Sequence, residues 1–205
     1  MGGDRLHKTP NRIDGITIEV SNAMQLVTHK FSVEDYHRMG ETGILPPDKN
    51  FELIRGEILE MSPVGFKHAY TVRQITALCY EKFSAVISVQ DPILLLNESE
   101  PEPDITILSG SPQQYAECLP TATDVQLLIE VSDSTLRYDQ TVKLPLYAEN
   151  RIPEVWIANI QDQQLEVYRE PDGSTYSQML VLKDSESIAP LAFPEIQIMV
   201  KDILG

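Results

Sequence analysis

Glu130 stands inside "LLIEVSD" (127–133), a run that is otherwise apolar from Leu127 to Val131. A carboxylate in such a run is costly to bury unless a counter-charge or a cation meets it. A second acid, Asp104, opens the apolar stretch of "PEPDITIL" (101–108). Side chains two apart on a strand share a face, so Gln126, Leu128, Glu130 and Ser132 look one way, and Asp104 shares its face with Thr106 and Leu108. Each acid therefore lies near an end of a short apolar strand, where neighbouring strands can bring two carboxylates together. Carboxylates held close repel and raise each other's pKa unless a cation lies between them. Mg2+ is the usual answer, held by one or two carboxylates with water completing its shell, and it turns a bound water into a nucleophile for phosphate esters. A lysine completes such a site by steadying the developing charge. Lys143 is the candidate, since Asp139, Lys143 and Tyr147 recur every four residues on one helical face.

The same residues have a structural reading. Glu130 and Lys143 suit a buried ion pair with no chemistry attached. Asp139 four residues before Lys143 suits an ordinary helix-surface pair, worth about 0.3–0.5 kcal/mol.

These side chains need elements to hold them. "DVQLLIEVS" (124–132) reads as a central strand buried on both faces, and "PDITIL" (103–108) as a short strand opened by a proline. "RYDQTVKLPLYAEN" (137–150) reads as a helix kinked at Pro145. "FELIRGEILEMSP" (51–63) is a hairpin turning at Arg55-Gly56. "KHAYTVRQITALCYEKF" (67–83) is a helix with Ala69, Val72, Ile75, Leu78 and Cys79 on its apolar stripe. "FSVEDYHRM" (31–39) starts a helix at Ser32, with Asp35 in the capping-box position and Gly40 as the stop. "AVISVQDPILLLN" (85–97) is a strand pair or one bent strand, and "SGSPQQYAECLP" (109–120) a loop with one helical turn. "EVWIANI" and "QLEVYRE" make a hairpin over "QDQ", "TYSQMLVL" adds a strand, and the apolar tail "FPEIQIMVKDIL" docks on the core. "TIEV" (17–20) is a short strand in an extension spanning 1–23, ahead of one domain at 24–205. The class is α/β or α+β, with one mixed central sheet flanked by helices.

The chain has 205 residues, 31 Asp and Glu against 16 Lys and Arg, and a formal net charge of −15. No Lys/Arg cluster marks a basic face, which counts against a strong non-specific binder of duplex DNA. No run approaches the ~20 apolar residues of a membrane helix. "MGGDRLHKTPNRIDG" lacks the apolar core of a signal peptide, so a cytoplasmic protein is expected. Cys79 and Cys118 have no metal-ligand spacing and read as reduced thiols.

"FELIRGEILEMSP", "KHAYTVRQI", "PEPDITIL", "LLIEVSDSTLRYDQTVKLPLYAENRIPEVWI" and "LEVYREPDG" resemble, in order, the signature blocks of the Uma-two-type restriction endonuclease family. The resemblance runs from about Val27 to the C-terminal tail. It implies the restriction-endonuclease-like fold of the PD-(D/E)XK nucleases, with Pro103-Asp104 as the "PD" and Glu130 as the acid of the "(D/E)XK". Where that motif places lysine, this chain has Ser132. The family similarly moves its lysine to the following helix, where Lys143 matches. The resemblance implies Asp104 and Glu130 as metal ligands with the carbonyl of Val131 beside them, Mg2+ or Mn2+ as the ion, Lys143 as the catalytic cation and Glu52 as a further acidic member. His68 opens a helix that borders such sites. DNA is the implied substrate and a homodimer the implied assembly. The alternative is a protein that keeps this fold without efficient catalysis, a reading the charge of −15 favours.

Overall fold

The computed structural model describes residues 12–13, 16–17, 27–96 and 98–205. Two short strands, β1 (Arg12–Ile13) and β2 (Ile16–Thr17), pair antiparallel. Thr17 is the only described residue of the strand expected at 17–20; the rest of that stretch lies outside the described residues.

Helix α1 (Val33–Glu41) begins as its sequence requires. The Ser32 hydroxyl accepts from the Asp35 amide at 3.1 Å, and the Asp35 carboxylate accepts from the Ser32 amide at 3.2 Å. The helix runs past Gly40 to its C-cap at Thr42, whose hydroxyl bonds the carbonyl of Arg38. Strands β3 (Phe51–Ile54) and β4 (Glu57–Glu60) form a separate hairpin. Both turn residues have positive φ, 51° at Arg55 and 73° at Gly56, the pairing a two-residue primed turn demands. A side chain at Gly56 would also meet the Lys30 Cβ at 2.8 Å, so the turn and the close approach both require glycine.

Helix α2 (Phe66–Lys82) buries Thr71, Val72, Ile75 and Cys79. Strand β5 (Val86–Val89) follows, and the chain then makes only isolated bridges at Leu94 and Leu95, so the stretch holds one strand rather than two. Pro92, which lacks an amide donor, falls where the pairing stops. Strand β6 (Ile105–Leu108) leads through short 3-10 turns (Pro112–Tyr115 and Ala122–Asp124) to β7 (Val125–Ser132).

The next segment is helical but not a single α-helix. Helix α3 (Leu136–Tyr138) passes into a π-helical turn (Asp139–Lys143) and then α4 (Leu144–Glu149). The Leu144 amide reaches back five residues to the Asp139 carbonyl. Pro145 cannot donate, and its ring crowds the preceding turn, so the helix accommodates it by widening just ahead of it. Strands β8 (Glu154–Asn159), β9 (Gln164–Asp172) and β10 (Thr175–Leu182) follow. Strands β11 (Ser187–Ile188) and β12 (Ile198–Met199) pair with each other, and helix α5 (Val200–Leu204) ends the chain.

The central sheet has six strands in the order β10-β9-β8-β7-β6-β5. Only β7 and β8 run parallel, joined by the helical crossover; the other pairs are antiparallel. This is the mixed sheet flanked by helices expected from the sequence. Leu127, Ile129 and Val131 pack on one face with Val72 and Ile75 of α2 and with Ile203 of α5. Leu128 and Ile157 pack on the other with Leu146 and Tyr147 of α4. Val125 departs from simple alternation and joins the Leu128 side. A bulge shifts the register so that Leu108 faces Val125 while Ile107 faces Leu127. Trp156 is core, with its indole N–H donating to the Glu154 carboxylate at 2.8 Å. Among the described residues no helix is long and apolar enough to cross a membrane.

Both cysteines are free thiols, Cys79 buried and Cys118 exposed. Burial pushes the Cys79 thiol up to about 12. A thiol-disulfide reagent is expected to titrate Cys118 alone in the native protein and both thiols in denaturant, since the thiolate is the reactive form. Two fast-reacting native thiols would contradict the packing of α2.

Candidate active site

The β6–β7 register pairs Ile105 with Ile129, which sets Asp104 and Glu130 at adjoining positions at one end of the two strands. Asp104 is fixed there by hydrogen bonds. Its Oδ2 accepts from the Val131 amide at 2.8 Å, and its Oδ1 accepts from the Gln90 side chain at 3.2 Å. His68, in the first turn of α2, places Nε2 3.1 Å from Oδ2 of Asp104. That hydrogen bond, opposed by burial and assisted by the charge of Asp104, raises the His68 pKa above its usual value. The second ring nitrogen, Nδ1, is buried with no hydrogen-bond partner.

Lys143 lies at the end of the π turn, and its ammonium sits between two acids. Its Nζ is 2.9 Å from Oε1 of Glu52, on β3, and 3.2 Å from Oε1 of Glu130, on β7. The Tyr147 hydroxyl, one helical turn on, donates to the same Glu130 oxygen at 2.6 Å. Glu52 also accepts from the Glu102 amide at 3.0 Å. Glu52, Glu130 and Lys143 are buried almost completely. Desolvation lifts the Glu130 carboxyl to about 8, reinforced by Asp139 and Asp104 and opposed by Lys143 and the Tyr147 hydroxyl. Desolvation works against the Lys143 ammonium too, but Glu130, Glu52 and Asp139 outweigh it and hold its pKa well above the usual lysine value.

Asp139 is not a helix-surface residue. It is 4% exposed, and its Oδ2 accepts from Ser132 at 2.6 Å and from Thr135 at 2.8 Å. Asp139 shares the inward face of the helical segment with Lys143 and Tyr147, and its amide makes an ordinary helical bond to the Thr135 carbonyl at 3.0 Å. Ser132, at the position where the nuclease motif has lysine, thus anchors the turn that carries Lys143. A second link ties the same turn to the sheet: Gln140 donates to Glu166, on β9, at 2.8 Å. Sequence reasoning missed the hydrogen-bonding roles of Asp139, Ser132, Tyr147 and Glu166. The spacing 139–143–147 was the one signal for the first and third.

The structure brings together Asp104, Glu130, Lys143, Glu52 and His68, and it brings Val131 in through its amide. Of the basic residues on the elements around the centre, Arg55 is engaged by Glu149. Lys67, Arg73 and Arg137 are exposed and have no ion-pair partner among the described residues. Two grooves lie beside the centre rather than over it. One of about 500 Å³ is lined by Val64, Arg73, Thr76, Val89 and Gln90; the other, of about 440 Å³, by Tyr36, Leu45, Pro46, Phe51 and Glu102.

No three His, Cys, Asp or Glu side chains converge on a metal-holding position among the described residues. A closed protein cage for a metal is therefore not built here. The donor chemistry does fit an open site for a hard divalent ion, which takes one or two carboxylates and leaves the remaining positions to water and substrate. Asp104 and Glu130 would be the two carboxylates of such a site, and Oε2 of Glu130 takes no part in the contacts with Lys143 and Tyr147.

The family model described as "Uma2: Putative restriction endonuclease" matches residues 33–201. The chain belongs to the Uma2 family. Among solved structures, the Uma2 chain is similar to a protein from Anabaena variabilis described as a putative nuclease belonging to DUF820. The two are 16% identical with a TM-score of 0.64, over 85% of this chain and 97% of that one. At that identity the likeness shows a shared fold. No curated protein matches.

Proposed function

We propose that this Uma2 protein is a metal-dependent endonuclease that hydrolyses phosphodiester bonds in DNA. Asp104 and Glu130 are the ligands of Mg2+, with Mn2+ as a substitute and the Val131 carbonyl as a further donor. The observation that carries the reading is Lys143, which reaches Glu130 at 3.2 Å from the helix after β7 rather than from the strand. Family membership and the fold shared with a protein described as a nuclease support the same reading.

Each residue has work of its own. The Val131 amide, Gln90 and His68 orient Asp104. An ammonium has three protons, and Glu52 and Glu130 engage two, which leaves one N–H of Lys143 for an attacking water or a phosphate oxygen. Tyr147 holds the Glu130 oxygen that Lys143 also touches, so the other oxygen keeps a fixed direction. When bound, the divalent ion supplies a hydroxide-like nucleophile and neutralises charge on the attacked phosphate. The protein acts in the cytoplasm as a homodimer.

Calorimetric titration with Mg2+ and Mn2+ tests this. Wild type is expected to bind in the micromolar-to-millimolar range, and Asp104→Ala and Glu130→Gln to lose binding. Nicking of plasmid or of single-stranded circular DNA should appear with either ion and vanish in EDTA. Metal binding that persists in both variants, or nicking that survives EDTA, rejects the site. The second reading, a binding protein on this fold without turnover, draws on the closed centre and the charge of −15. It is the outcome if the metal binds and no nucleic acid is cut.

A further inference from the structure

Among the described residues, the three Phe, Tyr or Trp side chains that stand exposed are Phe66, Tyr70 and Tyr80. All three lie on α2. At 100° per residue they fall within about 80° of arc on the solvent side of the helix, a ridge about 21 Å long. Arg73 is exposed on the same ridge, and Lys67 is exposed beside its start. Neither has an ion-pair partner among the described residues, and Arg137 of α3 is likewise free. The ridge begins two residues before His68, whose ring touches Asp104, so it leads away from the candidate site. At its far end Glu81 is paired with Lys82.

Resting on the nuclease reading, we propose that the substrate is a single-stranded nucleic acid that runs along α2. Its bases stack on Phe66 and Tyr70, and its phosphates meet Lys67, Arg73 and Arg137. Magnitudes separate this from a duplex. Duplex binding through phosphates commonly draws on roughly six to ten cationic contacts, and this chain has three free cations near the site within a net charge of −15. Stacking supplies what the charge does not, because every base has a π-face and the contact is sequence-tolerant. The closed centre agrees. Asp104 and His68 are its most open members, with side chains 11% and 16% exposed, whereas those of Glu130, Lys143 and Glu52 are at or below 5%. A lone strand with an unstacked phosphate fits such an approach better than a duplex about 20 Å wide, whose bases are already occupied with each other.

Fluorescence anisotropy in EDTA tests this without requiring cleavage, using the full chain and labelled oligodeoxyuridylate, oligouridylate and duplex DNA of equal length. Either single strand is expected to bind about tenfold or more tightly than the duplex. Phe66→Ala/Tyr70→Ala should weaken single-strand binding by about tenfold or more, and Phe66→Trp should keep it, since stacking tolerates any large aromatic. The order of the two oligomers assigns the sugar. Duplex binding equal to or tighter than single-strand binding overturns the proposal, as does no binding of any oligomer or an unchanged affinity in the double variant. Sedimentation of the free protein covers another occupant: conversion of a dimer to a monomer in the double variant assigns the ridge to a second copy and overturns it too. Because the titrations contain no metal, their failure leaves the calorimetric test of Asp104 and Glu130 standing.

Discussion

Lys143→Ala is expected to lose both stability and reaction. The ammonium is the shared partner of Glu52 and Glu130, both buried, and its removal leaves two buried acids with no cation between them. Breaking a buried pair from one side costs about 3–5 kcal/mol, because the remaining charge must be protonated or solvated. For a domain of this size each kcal/mol corresponds to roughly 2–4 °C in Tm, so a drop of about 10 °C is expected in thermal unfolding. Phosphodiester cleavage, where wild type shows it, should fall by about 10²–10³-fold, the scale of losing one preorganised donor at a developing charge. Lys143→Met combined with Glu130→Gln separates the two effects. It removes one of the two acids left without the ammonium, with Glu52 remaining, and should recover part of the Tm while leaving cleavage lost. A Tm for Lys143→Ala within a degree or two of wild type would mean that the ammonium does not sit between the acids. Equal cleavage would remove it from the reaction.

The parts of this site that follow local rules were legible in the sequence. An apolar run with one acid at Glu130 is a central strand because nothing else buries both faces, and β7 is that strand. Strand parity gave the face of each acid, and the resemblance to the PD-(D/E)XK nucleases paired Asp104 with Glu130; the β6–β7 register sets the two at adjoining positions. Lys143 and Tyr147 could be placed on one helical face, and both meet Glu130. The resemblance of the blocks to the Uma-two-type family supplied the order of the fold, and the match over residues 33–201 agrees.

What escaped the sequence depended on contacts between distant segments. Asp139 suits a surface acid in the sequence, and only the packing of the helical segment against the end of β7 gives it the Ser132 hydroxyl as a partner, beside Thr135 one turn earlier. Glu166 gave no signal, because its partners Gln140, Asn159, Gln164 and Tyr168 are assembled by the sheet and the crossover together. The bulge that turns Val125 to the other face is a register feature of two strands, invisible in either one. The aromatic ridge of α2 was hidden for the opposite reason. Phe66, Tyr70 and Tyr80 are residues that composition assigns to a core, and only their exposure marks them as available to a partner.

Glu130→Gln is expected to make the metal-free protein more stable, and to do so increasingly as pH rises. Burial lifts the folded-state pKa of Glu130 from the usual carboxylate value to about 8. Between the two values the folded protein holds a proton that the unfolded chain releases, so this group's contribution is full at acid pH and lost as pH climbs through the folded-state pKa. The glutamine keeps the oxygen that accepts from Tyr147 and does not ionise. In EDTA, its Tm should sit close to that of wild type at about pH 5 and several degrees above it at about pH 9. An offset independent of pH would show that Glu130 remains a carboxylate throughout, with Lys143 as a full counter-ion. The rising offset would mark a residue kept against the stability of the fold. Residues of that kind concentrate at functional sites, where burial sets a pKa for a task other than folding. A simple structural ion pair would instead lose stability on replacement at every pH, so the same pair of melting curves separates the two readings of Glu130.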